Sequence, residues 1–184
     1  MTVSIALYVI ILPLIPELTY RELAPELQEG LLDQARALAV PVPSEPETGN
    51  RLIIPRIGVS GRIWEGTAFA TLDNGIWRRP GTSDPEAGGN TVLVAHRYLY
   101  GQEQRSFYHL PRLKEGDTIF VLWNETEYEY RVSVTEEVAA DAKYIEEPSE
   151  RNILTLYTCV PLWTSDRRFV VKAEPVSVRP LQTG

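Results

Sequence analysis

Three side chains in this chain could do covalent chemistry together. Cys159, the single cysteine, ends an alternating run, Asn152-Ile153-Leu154-Thr155-Leu156-Tyr157-Thr158, and Val160-Pro161 then breaks the pattern. His96 ends a second apolar run, Thr91-Val92-Leu93-Val94-Ala95. Arg168 leads into a third, Phe169-Val170-Val171-Lys172-Ala173. A cysteine attacks well as its thiolate, a form that a neighbouring histidine or cation stabilises. The same imidazole can then protonate a departing amine. A guanidinium stays charged at any relevant pH and offers a fixed fork of donors to a developing oxyanion or a peptide backbone. Together the three suffice for acyl transfer through a thioester. Taken singly each has a plainer reading, since a lone cysteine at a strand end is more often a small buried hydrophobe.

Groups of this kind need a rigid frame, and strand ends supply one. The chain has 184 residues, enough for one core of ordinary size or one domain with a tail. Its 43% hydrophobic and 23% charged content describes a globular protein. A formal charge of −7, with no basic stripe, argues against a nucleic-acid partner held through phosphates. One cysteine cannot form an intramolecular disulfide, so the thiol is free. Outside the cytoplasm such a thiol risks oxidation, and is easier to understand if it works.

Met1 to Leu18 is almost entirely apolar, with Thr2, Ser4 and Glu17 its polar residues. A bilayer-spanning helix needs roughly 20 apolar residues. No Lys or Arg precedes the run, and Pro13 and Pro16 follow its centre where a signal peptide would have a small-residue cleavage site. The expectation is an uncleaved membrane-anchor helix over 1–18; a buried N-terminal helix or strand is the alternative. Residues 19–49 form a second unit. Leu23, Leu27, Leu31 and Leu32 recur at helical spacing, and a Pro-rich linker from Val40 to Asn50 follows. The domain boundary belongs near residue 50, leaving 50–184 as one domain.

That domain reads as β throughout. Arg51 to Ile57 is a strand interrupted by Pro55, which suits an edge or a bulge. Ser60-Gly61 makes a turn into Arg62-Ile63-Trp64, and Ala70 to Gly75 a short helical turn closed by Asn-Gly. Gly75 to Pro80 leads into a loop rich in Pro, Gly, Ser and Asp, and the His96 strand follows. Phe107 to Leu113 could form one helical turn, and Thr118–Trp123 with Glu127–Val134 a hairpin around Asn124-Glu125-Thr126. An acidic connection with a short helix at Asp141 to Glu146 joins it to the Cys159 strand, and Pro175 to Gly184 trails off. Many short strands with little helix predict an all-β barrel or sandwich. The chain has no GxGxxG, P-loop or CxxC, which removes dinucleotides, nucleoside triphosphates and cysteine-zinc sites from the leading options.

One family gathers these pieces. Thr155-Leu156-Tyr157-Thr158-Cys159, followed by Arg168-Phe169-Val170-Val171, resembles the TLxTC strand and following arginine of sortases, cysteine transpeptidases of the cell surface. Asn90-Thr91-Val92-Leu93-Val94-Ala95-His96-Arg97 resembles their histidine strand, NxVIxGHR, with Ala95 in place of Gly. Ile53-Ile54-Pro55-Arg56-Ile57-Gly58-Val59 resembles the first barrel strand, and Phe107-Tyr108-His109-Leu110 with Gly116-Asp117-Thr118-Ile119 the segment after the histidine loop. Histidine before cysteine is also the reverse of the papain order.

The resemblance implies a closed eight-stranded β-barrel with short helices, preceded by the membrane helix and linker. It makes Cys159 the nucleophile, His96 the general acid/base and Arg168 the oxyanion or substrate clamp, with Thr158 and Ala95 as substrate contacts. Arg167 and Arg168 point to opposite faces of a strand, so at most one reaches the thiol; family members favour Arg168. His109 has no matching role and reads as structural. The implied reaction cuts an LPxTG-like sorting signal of a surface protein or pilin between Thr and Gly. The acyl group then passes to an amine of the cell wall or of a pilin lysine. The implied setting is the cell membrane, with the catalytic domain extracytoplasmic.

An Asp-Pro-aromatic lid motif is absent from residues 19–50, which favours general anchoring over pilin assembly. Pro46-Glu47-Thr48-Gly49 and Leu181-Gln182-Thr183-Gly184 echo a sorting signal and read as coincidences of composition; a linker occupying the cleft as pseudosubstrate is the sharper alternative. Some sortases bind calcium beside the cysteine strand, where this chain has Glu136, Glu137, Asp141, Glu146, Glu147 and Glu150. Those acids read as a solvated loop, and no metal or other cofactor is assigned. The rival functions are a cysteine hydrolase without an amine acceptor and a non-catalytic binding barrel.

Overall fold

The computed structural model describes residues 49–99 and 103–181. The expected anchor at 1–18, the helical and Pro-rich stretch up to residue 48 and residues 182–184 lie outside the described residues. Among the described residues no helix is long and apolar enough to cross a membrane.

Eight strands follow in chain order: β1 (Arg51–Ile54), β2 (Val59–Trp64), β3 (Ile76–Arg78), β4 (Asn90–Val94), β5 (Thr118–Trp123), β6 (Thr126–Ala139), β7 (Ile153–Val160) and β8 (Arg167–Pro180). They close into a barrel in the order β1-β2-β3-β4-β7-β8-β6-β5. Neighbours are antiparallel except β2–β3 and β4–β7. The barrel alternative of the sequence reading therefore holds, and the sandwich does not.

Strand alternation fills the barrel from inside. Leu52, Ile54, Ile119, Val121, Tyr130, Leu154, Leu156 and Val171 belong to the interior core. The opposite parity on β4, β7 and β8 is buried too. Val92, Val94, Tyr157 and Val170 pack outside the barrel with Leu72, Trp77, Val138 and Ile145. Two buried faces explain why these strands read as nearly unbroken apolar runs. Two-residue geometry shapes the β5–β6 hairpin, with Asn124 and Glu125 both at positive φ, 46° and 59°.

Four expectations change. Pro55 marks neither an edge nor a bulge: β1 lies between β2 and β5, ends at Ile54, and Pro55 opens a 3-10 turn where its missing N–H costs no ladder bond. Ser60-Gly61 is not a turn but lies within β2; a Cβ at Gly61 would come 2.9 Å from Ile76 Cδ1. Ile76–Arg78, read as the lead into a loop, forms β3, pairing with β2 and β4. Finally, β6 and β8 run to Ala139 and Pro180, well beyond the expected ends, because they pair with each other along almost their whole lengths.

Candidate active site

The site sits where β4 and β7 end side by side. Their parallel register runs from Asn90↔Ile153 to Val94↔Tyr157. The Thr158 hydroxyl donates to the Ala95 carbonyl at 2.9 Å, across the same interval of 63 residues. One more step of that register sets His96 level with Cys159. Strand β4 stops before His96, whose carbonyl accepts from the Phe107 N–H at 2.9 Å. The imidazole is thus carried on a tethered strand end.

Arg168 arrives from the other side. In the antiparallel β7–β8 pair it stands directly opposite Cys159, and Arg167 opposite Val160. Directly opposed residues share a face, so Arg168 lies on the thiol's face and Arg167 on the other. Arg168 Nη1 donates to the carbonyls of Ser165 and Arg167, each at 2.9 Å, folding the β7–β8 loop around its base. Arg167 is engaged elsewhere, its Nε 3.3 Å from Glu137 Oε2. His96, Cys159 and Arg168 are all half-buried, each with part of its surface open to solvent.

Thr158 and Ala95 are buried at 0% and 1% exposure, beneath the thiol and imidazole. What they can offer a peptide is main-chain groups. His109 sits off the rim, its ring edge-on to Tyr108 at 4.9 Å.

Two contacts were not visible in the sequence. His96 Nε2 lies 3.1 Å from Asp73 Oδ1. Asp73 comes from the 3-10 turn Phe69–Asn74, and no local pattern links it to a histidine 23 residues on. The second is a network under the site. Tyr157, two residues before the cysteine on the same face, donates to Glu146 Oε1 at 2.5 Å. Glu146 also takes Arg79 Nε at 2.7 Å and Nη2 at 3.1 Å, and Arg79 lies over the Trp77 ring. Burial first, and then the bond to Glu146, push the Tyr157 hydroxyl well above its ordinary pKa, so it remains a neutral donor. The network pins the 3-10 turn Lys143–Glu146 onto the sheet. Three of the acids weighed as calcium ligands are in ion pairs: Glu136 with Lys172, Glu137 with Arg167 and Glu146 with Arg79.

The chain is similar to several characterised proteins. Over 91 residues it is 33% identical to sortase A of Bacillus anthracis, an alignment covering 50% of this chain and 42% of that protein. The chain thus spans less than half the length of that relative. Over 149 residues it is 27% identical to sortase D of Bacillus subtilis, covering 79% of this chain and 72% of the relative. The solved structure of sortase E1 from Streptomyces coelicolor, with a tripeptide in its active site, superimposes with a TM-score of 0.62 at 26% identity, covering 72% of this chain and 90% of that one. The family model for the sortase domain matches residues 52–176. That span runs from β1 into β8 and takes in the whole rim, so this chain belongs to the sortase family of cysteine transpeptidases.

Proposed function

We propose that this chain is a membrane-anchored sortase that cleaves an LPxTG-like sorting signal between Thr and Gly and transfers the acyl group to an amine. One observation carries the reading: the β4–β7–β8 register brings His96, Cys159 and Arg168 to a single rim. The Cys159 thiolate attacks the Thr carbonyl carbon, and an Arg168 N–H stabilises the oxyanion that forms. The C–N bond to Gly breaks as the His96 imidazolium gives its proton to the leaving amine. This leaves a thioester on Cys159 and a neutral imidazole. The neutral imidazole then takes a proton from the incoming amine, which attacks the thioester and forms the new amide. Thiolate departs, and the starting pair is restored.

Main-chain groups of Ala95 and Thr158 border the bound peptide in this reading. The structure with a tripeptide in the active site of the Streptomyces coelicolor relative supports a peptide in the corresponding cleft here. The donors are surface proteins or pilins, the acceptor is a cell-wall or pilin amine, and residues 1–18 hold the enzyme in the cell membrane with the barrel outside.

Mass spectrometry of the purified full chain with LPxTG-type peptides, with and without oligoglycine, tests the proposal beside a Cys159→Ala control. The expected result is a thioacyl adduct on Cys159 that converts to ligated peptide when the amine is added. Free acid as the sole product, with amine present, would make the protein a hydrolase. No adduct with any such peptide would reject the proposed chemistry.

A further inference from the structure

We infer that Asp73 is a positioning residue that fixes which nitrogen of His96 exchanges the proton. The inference rests on the acyl-transfer reading above. An ionised carboxylate only accepts hydrogen bonds, so the 3.1 Å contact between His96 Nε2 and Asp73 Oδ1 requires the proton on Nε2. A neutral His96 is then the Nε2–H tautomer, and the lone pair lies on Nδ1. Nδ1 is accordingly the atom that gives a proton to the leaving amine and takes one from the acceptor. A ring free to adopt either tautomer would hold the base in the wrong place for part of the time.

The turn that carries Asp73 is built to hold still. Leu72, 6% exposed, anchors it in the apolar cluster under the site. The Phe69 ring meets Trp77 edge-on at 6.2 Å. Gly75, at φ 128°, returns its N–H to the Leu72 carbonyl at 3.1 Å, a conformation that favours glycine. Asp73 itself is 72% exposed and His96 31%. Solvent screens a pair of this kind, so its effect is selection of a tautomer and a ring orientation.

Two-bond ¹H–¹⁵N correlation of the histidine-labelled full chain, without substrate and at a pH alkaline enough to leave the imidazole neutral, reads the tautomer directly, with His96 assigned from a His96→Ala spectrum. The expected result is Nε2–H in the wild type and a mixture in Asp73→Ala. Activity should follow, with kcat falling about fivefold in Asp73→Ala while KM holds. Asp73→Asn keeps an acceptor oxygen without the charge, and should restore the single tautomer and most of the rate. An Nδ1–H tautomer in the wild type overturns the inference. So does a tautomer that Asp73→Ala leaves unchanged, or one that shifts with no change in kcat. Failure of acyl transfer by the wild type would strike at the functional reading instead, since the spectrum needs no substrate.

Discussion

The two ends of the β4–β7 pair are built from the same parallel ladder and finished in opposite ways. At the starting end two buried side chains, Asn90 and Thr155, close on each other and on the main chain. Asn90 accepts from the Thr155 hydroxyl at 2.7 Å and donates to the carbonyls of Ile145 and Glu147 at 3.0 and 2.9 Å. Asn90 and Thr155 are both buried. At the finishing end Cys159 and His96 stay half-exposed, and the chain leaves through loops. Parallel pairing makes this division useful: both strands finish at the same rim, so a thiol and an imidazole come to one rim without either being carried on a long loop. The closed end supplies rigidity, and the open end can hold reactive groups against a substrate.

The contrast predicts that substitutions at the open end cost rate and those at the closed end cost stability. The largest effects should come from Cys159→Ala and His96→Ala. Each should lower amine-dependent ligation by about 10³-fold or more while leaving the thermal unfolding midpoint nearly unchanged. Arg168→Ala should follow, with kcat reduced about 100-fold, as for removal of an oxyanion donor. Arg167→Ala, one residue away on the opposite face, should stay within about threefold of wild type. Equal losses at the two arginines would dissolve the face argument.

Asn90→Ala tests the closed end. It strands the buried Thr155 hydroxyl and two carbonyls, and denaturant unfolding should show about 2–3 kcal/mol lost. The folded fraction should retain its kcat; a kcat that falls with stability intact would mean the two ends are not separable. The smaller loss of stability belongs to Tyr157, which lies between them. Its folded pKa is raised above the ordinary 10.0, so the stability linked to its neutral hydroxyl is present below about pH 10 and lost as pH climbs above it. Tyr157→Phe removes this titration and the bond to Glu146. It should cost about 1 kcal/mol at pH 7, and the gap between the two proteins should narrow above pH 10.

The open end was the more legible in the sequence. Cys159, His96 and Arg168 each end or begin an apolar run, and the strand pattern also carries the hairpin around Asn124. Other features depended on distant partners. Three residues, Ile76–Arg78, are too few to show alternation, and become a strand through β2 and β4. In the sequence Pro175 reads as the end of the last strand. It is tolerated because β8 has no β7 partner past Ala173, so the missing N–H falls where the ladder has one side only. Asp73 reaches His96 only through the tertiary fold.

Where the barrel's flanks leave it has a practical consequence. The Asn124 N–H donates to Asn50 Oδ1 at 3.0 Å, and the Leu181 N–H to the Glu125 carbonyl at 2.8 Å, so residues 50 and 181 meet at one hairpin tip. From that tip the β6–β8 ladder runs from Thr126↔Pro180 to Ala139↔Arg167, beside Cys159. That path is about 40 Å of strand. A short splice between the flanks would permit circular permutation, with new ends opened in a surface turn such as Lys114–Asp117. A reporter or solid support attached at either flank would leave the thiol rim facing away from it.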